Sequence, residues 1–388
     1  MTATASAAPT ALRIREIPRG ASLRPFIDLA WKVNARDPRW VPPLRMALES
    51  ALDRAKHPFH QHAEVAYFVA ERGREVVGRI AAIVNHRHNE FHEDRVGFFG
   101  LFESVDDPGV ARALVDTAAE WVRARGMDTL RGPMNLSTNE EISSPGVLVE
   151  GFDTPPSVAM SHNPPYYGRL LEGAGLARAK DLLAYWMGTN EAPERLVRGA
   201  ERLEKREGVT LRPLRMDRLA DEVRLIQGIY NSAWARNWGF VPMTDEEFQY
   251  IARDLKSVVD PDLVNIAEKD GEAVGFSISL PDLNRALKHL PDGRLFPFGL
   301  PTGLIRFLWH KRRIDSARIM TLGLRPEYQK SSGLGTLMYL NTFRVAQRKG
   351  YATGEASWIL EDNLLMRQAL EKVGFVEYKR YRVYDRAL

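Results

Sequence analysis

Apolar positions along the chain follow two periods. Val65–Ala70 and Val76–Val84 are runs dense in β-branched and aromatic residues, and the polar stretch Glu71-Arg72-Gly73-Arg74-Glu75 between them has the composition of a tight turn. That pattern predicts two antiparallel strands joined as a β-hairpin. It returns in the second half as Leu263–Ala267 and Ala273–Ser279 around Glu268-Lys269-Asp270-Gly271-Glu272. Elsewhere the spacing lengthens to that of a helix. Val110–Arg125 ends before Gly126 and Gly335–Lys349 before Gly350, each with a basic last turn, and Leu334, Leu337, Met338 and Val345 fall on one face of the later helix.

The two hairpins share residues as well as pattern: Ala70-Glu71, Glu75 and Val77-Gly78 recur at one constant offset as Ala267-Glu268, Glu272 and Val274-Gly275. Leu12-Arg13 and Leu211-Arg212 open the two halves, and Ala174-Gly175-Leu176 answers Val373-Gly374-Phe375 near their ends. Matches at three separated places predict a duplicated unit. Each unit reads strand, helices, hairpin, strand, helix, strand, helix, strand, which predicts an α/β chain of two tandem α+β domains with mixed sheets flanked by helices. The boundaries fall at 12–190 for the first domain, 191–208 for a charged linker helix and 209–388 for the second.

Composition narrows the chemistry. With 388 residues the chain exceeds one ordinary core, and 44% hydrophobic with 27% charged residues is globular. Zero cysteines exclude disulfides, thiolate nucleophiles and Cys-ligated zinc. A net charge of +4 suits a polyanionic cofactor or an anionic surface, while no basic stripe interleaved with aromatics calls for nucleic acid. Met1–Ala11 lacks the charged and apolar regions of a signal peptide, so a cytoplasmic protein is expected. No apolar run is long enough to span a bilayer. Phe296–Trp309, followed by His310-Lys311-Arg312-Arg313, is amphipathic, and 296–313 is either a peripheral contact with the inner membrane surface or a loop folded over its own domain.

One turn stands out. The strand Ala317–Leu324 runs into Arg325-Pro326-Glu327-Tyr328-Gln329-Lys330-Ser331-Ser332-Gly333-Leu334-Gly335-Thr336 and then into a helix. A glycine-containing turn at a helix N-terminus presents backbone N–H groups at the positive end of the helix dipole, which suits a pyrophosphate. Downstream, the strand Ala356–Leu360 is followed by Asn363, Met366, Leu370, Gly374 and Phe375. These two motifs, in this order, resemble the GCN5-related N-acetyltransferase (GNAT) superfamily. The loop carries one residue more than the family's between Gln329 and Gly333, so either Lys330 takes the Arg/Gln place or the turn bulges. The resemblance implies acyl-CoA or acetyl-CoA as co-substrate, with Leu322, Gly323 and Leu324 pairing with the pantetheine arm, Gln329, Lys330, Ser331, Gly333, Leu334, Gly335 and Thr336 around the pyrophosphate, and Asn363 at the splayed strands. The first half has no comparable loop, so one cofactor per chain is expected.

Many relatives in that superfamily protonate the leaving thiolate with a tyrosine where this chain has Leu370; Tyr378, Tyr381 and Tyr384 are the substitutes at hand. The densest polar chemistry lies in the first half, in Asn135–Gly146 and Ser161–Tyr167, making Glu140, Glu141, His162 and Tyr166 the candidates for handling protons or orienting an amine. Asn231, Trp234, Asn237, Trp238 and Phe240 are candidates for lining the acceptor pocket. Six histidines between His57 and His92 lack acid ligands at metal spacing, so no metal is expected. The whole layout resembles bacterial tandem-domain acyltransferases. It implies an N-acyltransferase that moves an acyl group from acyl-CoA to a primary amine, a small molecule or a lipid such as a sphingoid base. A short-chain acetyltransferase on a soluble amine and a non-catalytic acyl-CoA-binding protein stay open as alternatives.

Overall fold

Asp107 shows how the helices start. Its carboxylate accepts from the N–H groups of Gly109 (2.8 Å) and Val110 (3.2 Å), with Pro108 in the first turn, so the helix is Pro108–Arg123 and begins earlier than its apolar periodicity suggests. The computed structural model describes residues 11–139, 143–188, 197–199, 202, 208–256, 258–329 and 333–388. Most of the linker segment 191–208 lies outside the described residues.

Both hairpins form. β1 (Leu12–Glu16), β2 (Ala63–Arg72), β3 (Glu75–Asn85), β4 (Val96–Ser104), β5 (Thr129–Gly132), β6 (Val147–Glu150) and β7 (Ala177–Gly188) belong to the first half. β8 (Val209–Pro213), β9 (Val264–Lys269), β10 (Glu272–Pro281), β11 (Ser316–Leu324), β12 (Thr353–Leu360) and β13 (Val376–Ala387) belong to the second. They join in one mixed 13-stranded sheet of order β1-β2-β3-β4-β5-β13-β7-β12-β11-β10-β9-β8, with β6 also on β13.

That order contains a reciprocal exchange. The last strand of the first half, β7, pairs with β12 of the second, and the last strand of the second half, β13, pairs with β5 and β6 of the first. β7 and β13 lie antiparallel to each other from Val376↔Trp186 to Asp385↔Ala177. The seam is charged: Arg382 donates to both Asp181 oxygens (2.8 and 3.1 Å), and Arg131 donates to both Asp385 oxygens (2.8 and 2.7 Å). Tyr381, Val383 and Tyr384 are fully buried on either face of β13, so each half's core includes side chains from the other.

Each half also splits its sheet. β4 and β5 pair in parallel only from Val96↔Thr129 to Phe98↔Arg131, and β11 and β12 only from Ser316↔Thr353 to Ile319↔Ala356. Both splays coincide with bulges: the β3–β4 register shifts between Arg79 and Ala81, and the β10–β11 register shifts between Ile278 and Ser279, leaving Met320 without a cross-strand partner. Two clefts result, one per half. Leu334, Leu337, Met338 and Val345 are all buried, as their spacing predicts, on the helix Leu334–Arg348 behind the second cleft.

The exchange predicts that neither half is a folding unit alone. Residues 1–190 expressed by themselves should show no cooperative thermal unfolding, whereas the two halves expressed together should copurify and melt as one. A cooperative melt of the isolated first half would contradict this.

Candidate active site

The second cleft is lined by strand residues Arg318, Met320, Thr321 and Leu322 of β11 and Trp358, Ile359 and Leu360 of β12, around a cavity of about 240 Å³. Beyond Ile319, β11 pairs with β10 alone, so its edge over 320–324 faces the cleft without a ladder partner. An extended arm carrying amides fits such an edge as an added strand. The helix Leu219–Ala233 roofs the cavity with Tyr230, and Trp234 follows it; Trp234 lies 4.6 Å from Tyr230 and 5.8 Å from Phe276 by ring centroids. A Cβ on Gly323 would sit 2.8 Å from both Trp234 and Phe276, so only glycine lets the indole close over the strand.

At the end of β11, Gly333 caps the helix Leu334–Arg348 in the left-handed conformation (φ 61°) and offers no side-chain cap. Among the described residues no atom outside its own chain neighbours and helix backbone comes closer than 3.9 Å to a would-be Cβ on Gly335, and a helix N-terminus of this kind favours an anion. Gln329 turns inward instead: its amide donates to the carbonyls of Ala233 (2.9 Å) and Leu324 (3.0 Å), bracing the turn against the roof helix. Leu334 faces the core. Thr336 sits in the first turn of the helix, and Lys330 and Ser331 lie outside the described residues. The free edge of β11 and the helix terminus are the places where an extended amide-bearing arm with an anionic end could be held. Asn363 lines the cavity and caps the helix Leu364–Val373 by accepting from Met366 N–H (3.3 Å).

The first half closes this cavity. Tyr230 donates its hydroxyl proton to Asn139 (2.7 Å), Asn139 donates to the Val241 carbonyl (2.9 Å) and Thr138 to the Gly239 carbonyl (3.0 Å). Asn237, Trp238 and Phe240 line the wall so formed, while Asn231 clips the same loop through Met243 N–H (3.2 Å). No carboxylate or imidazole lines this cavity among the described residues. The chain continues from Asn139 into Glu140 and Glu141, which lie outside the described residues.

The first cleft holds a larger cavity of about 430 Å³, which shares Ala159, Ile251, Leu255 and Met320 with the second. One side is apolar, from Val41, Leu44, Leu48, Leu280, Leu283 and Leu287. The other carries Arg79, Glu103, Asn135, Ser161, His162 and Asn163. His162 is placed like a base. Its Nε2 lies 2.7 Å from Asp37, and its Nδ1 is buried with no hydrogen-bond partner among the described residues. Burial works to raise the Asp37 pKa, but the His162 hydrogen bond and the Arg39 N–H outweigh it and hold the carboxyl below its ordinary value, so the ionised oxygen accepts and Nε2 carries the proton. Burial in turn keeps His162 below its ordinary pKa against the pull of Asp37, which favours the neutral imidazole. Tyr166 is elsewhere. It caps the helix Tyr167–Gly173, donates to the Ser104 carbonyl (2.9 Å), is pushed up to about 12 by burial and lines neither cavity.

The tyrosines of the last strand are likewise engaged in packing. Tyr378 donates to Glu355, Tyr384 to Glu172 (3.1 Å), and Tyr381 is wholly buried. Leu370, at the family's tyrosine position, is core. The clustered histidines stitch the halves together: His62 meets Glu247 at 2.8 Å and His92 the Phe240 carbonyl at 2.7 Å.

A charged clamp holds the wall between the cavities. Arg318 donates to the Val158 carbonyl (2.7 Å) and to Ser357 Oγ (2.9 Å), Ser157 donates to Glu355 (2.6 Å), and Asp282 accepts from Val158 N–H (2.8 Å) and Asn284 N–H (3.2 Å). Burial, then the Glu355 charge, pushes Asp282 up to about 6. Neither Asp37, far from His162 in sequence, nor buried Arg318 stood out in the chain pattern, because their partners come from other elements.

Asp282 carries a pH signature. Its folded pKa of about 6 lies above the ordinary 3.8, so between those values the folded state holds a proton the unfolded chain has lost, and stability falls as pH rises through that window. Asp282→Asn keeps the acceptor and removes the charge. The variant should exceed the wild type by about 3 kcal/mol above pH 6 and converge with it near pH 4 in denaturant titrations. A variant less stable than wild type at pH 8 would contradict this.

Comparison with known proteins agrees with the geometry. No protein-family model matches the chain. It is 42% identical over 378 residues to "Bacterial ceramide synthase" of Caulobacter vibrioides, with 95% of each chain covered, and 36% identical over 372 residues to "Protein YghO" of Escherichia coli, covering 94% of this chain and 93% of that one. Among solved structures, a tandem GNAT protein from the clavulanic acid biosynthesis pathway superposes with a TM-score of 0.56 at 15% identity, covering 97% of this chain and 98% of that one. A GCN5-related N-acetyltransferase from Sphaerobacter thermophilus gives 0.52 at 15% identity, covering 97% and 95%. Two splayed clefts in one shared sheet, the glycine-capped helix at the end of β11 and full-length similarity to the Caulobacter protein lead to one conclusion: the chain has a tandem GNAT fold and belongs to the family of the bacterial ceramide synthase.

Proposed function

We propose that the protein transfers a long-chain acyl group from acyl-CoA to the primary amine of a long-chain amino alcohol of the sphingoid type. The observation that carries this reading is the pair of adjoining, largely apolar cavities, one per cleft, with a shared wall at Ala159, Ile251, Leu255 and Met320. An acetyl group and a small soluble amine would leave most of that apolar surface unfilled. The name of the Caulobacter relative points the same way.

In this reading acyl-CoA supplies an activated thioester carbonyl. The free edge of β11 over 320–324 holds the pantetheine arm, and the N-terminus of the helix Leu334–Arg348, with the flanking Gln329–Gly333 turn, holds the pyrophosphate. The hydrocarbon chains lie against the apolar walls of the two cavities. Glu103, Asn135, Ser161 and Asn163 form the polar end of the larger cavity, where an amino alcohol finds donors and acceptors. Burial raises the Glu103 pKa while Arg79, 3.5 Å away, and Tyr167 oppose the rise.

His162 is the proton acceptor. As the neutral amine's nitrogen bonds to the carbonyl carbon, its proton passes to the His162 imidazole, Asp37 stabilises the resulting imidazolium, and as the C–S bond breaks that same proton is returned to the departing thiolate, which leaves as the free thiol with the imidazole neutral again. The Tyr230–Asn139 hydrogen bond joins the two halves along the wall of the smaller cavity. Glu140 and Glu141, next to Asn139, orient the incoming ammonium group.

The test is product analysis by mass spectrometry with a long-chain acyl-CoA and a long-chain amino alcohol. The wild type should form the amide, and His162→Ala should lower kcat by about 100-fold or more with KM little changed. Asp37→Asn should do nearly as much, with the acidic limb of the pH–rate profile displaced to lower pH because Asp37 raises the His162 pKa. Transfer limited to acetyl-CoA, or full activity in His162→Ala, would contradict the proposal.

A further inference from the structure

Between β10 and β11 the chain makes an excursion, residues 282–315, that faces two ways. Its inner residues Leu283, Asn284 and Leu287 line the larger cavity. Its outer residues Phe296, Phe298, Leu300, Ile305, Leu308 and Trp309 are exposed, Phe298 at 97%. The helix Thr302–Lys311 carries the last three of these.

The excursion is anchored rather than loose. Trp31 donates its indole N–H to the Pro291 carbonyl (2.9 Å), Arg45 donates to the Asp292 carbonyl (2.8 Å) and through its backbone to the Gly293 carbonyl (2.9 Å), and Asn284 donates to the Pro156 carbonyl (2.9 Å). A Cβ at Gly293 would lie 2.4 Å from the Pro43 carbonyl, so the turn is pressed against the first half. His289 and His310 stack at 3.5 Å, tying its inner and outer helices together. So firm a mount, with so many large apolar side chains left outside, is not a failed core. Monomers rarely expose contiguous apolar patches without a partner.

Charge identifies the partner. From Gly293 to Ile314 there is no acidic residue, while Arg294, Arg306, Lys311, Arg312 and Arg313 fall in the same stretch as the exposed apolar side chains. Arg313 lies 3.6 Å over the Trp309 ring, the amphipathic pairing of an aromatic and a cation that suits the headgroup level of a membrane. No helix among the described residues is long and apolar enough to cross a membrane. We propose that residues 294–313 dock this protein on an anionic lipid bilayer, the apolar side chains entering the acyl boundary and the cations meeting lipid phosphates. Resting on the proposed function, the same excursion gives the amino alcohol a route from the bilayer past Leu283 and Leu287 into the larger cavity.

The experiment is co-sedimentation of the full chain with vesicles of phosphatidylcholine, with and without phosphatidylglycerol. The wild type should pellet with the anionic vesicles, less so at high salt and least with the neutral ones. Phe298→Ser with Ile305→Ser should lower the partition coefficient by about tenfold or more, and Arg312→Gln with Arg313→Gln by about fivefold per cation on anionic vesicles alone. Both variants should retain wild-type transfer to a detergent-dispersed amine, which separates loss of docking from any fault in the proposed chemistry. No pelleting with either vesicle, or equal pelleting of wild type and both variants, would overturn the proposal. So would a dimer by light scattering that the same substitutions disperse, because the patch would then belong to a second copy of this chain.

Discussion

The antiparallel ladder between β7 and β13 is the constraint on which the rest of the structure depends. Each strand is the end of one half and a central strand of the other half's sheet, so neither sheet is complete until both halves are made. The buried Asp181 accepting from Arg382 fixes the ladder's register, because a slip would leave a charge in the core without its partner. The exchange also sets the mutual orientation of the two splayed clefts, and with it the contact between their cavities.

Function draws on that orientation at every point. The features of β11 and the helix after it that are proposed to hold acyl-CoA belong to the second half, while His162, Asp37 and Glu103 belong to the first. Residues 156–159 form the partition, held by Arg318, Glu355 and Asp282 from the other half. The two halves differ at the corresponding helix start: the second has the glycine cap Gly333, and the first the acidic cap Asp107.

What the sequence disclosed follows from locality. The hairpins, the helix faces and the Gly333 turn rest on residues near one another in the chain, where period and turn chemistry act directly. That Trp234, Trp238 and Phe240 line a cavity was visible because aromatic density survives without knowledge of the fold. The strand exchange was not legible, since alternation shows that β13 is a strand but not which strand it joins. Nor was the His162–Asp37 pair, whose members are separated by 125 positions. Tyr166 was singled out for its polar neighbourhood, yet its hydroxyl serves the Ser104 carbonyl, and Gln329 was drawn toward the phosphate by the motif although its amide braces the Ala233 and Leu324 carbonyls.

The central claim is that one half carries the coenzyme and the other the proton chemistry. Isothermal titration of the full chain with coenzyme A tests it most directly. The account predicts one molecule bound per chain, with affinity weakened by Gly333→Val at the helix cap and unchanged by His162→Ala. Two equivalent sites, no binding, or binding abolished by His162→Ala would contradict it.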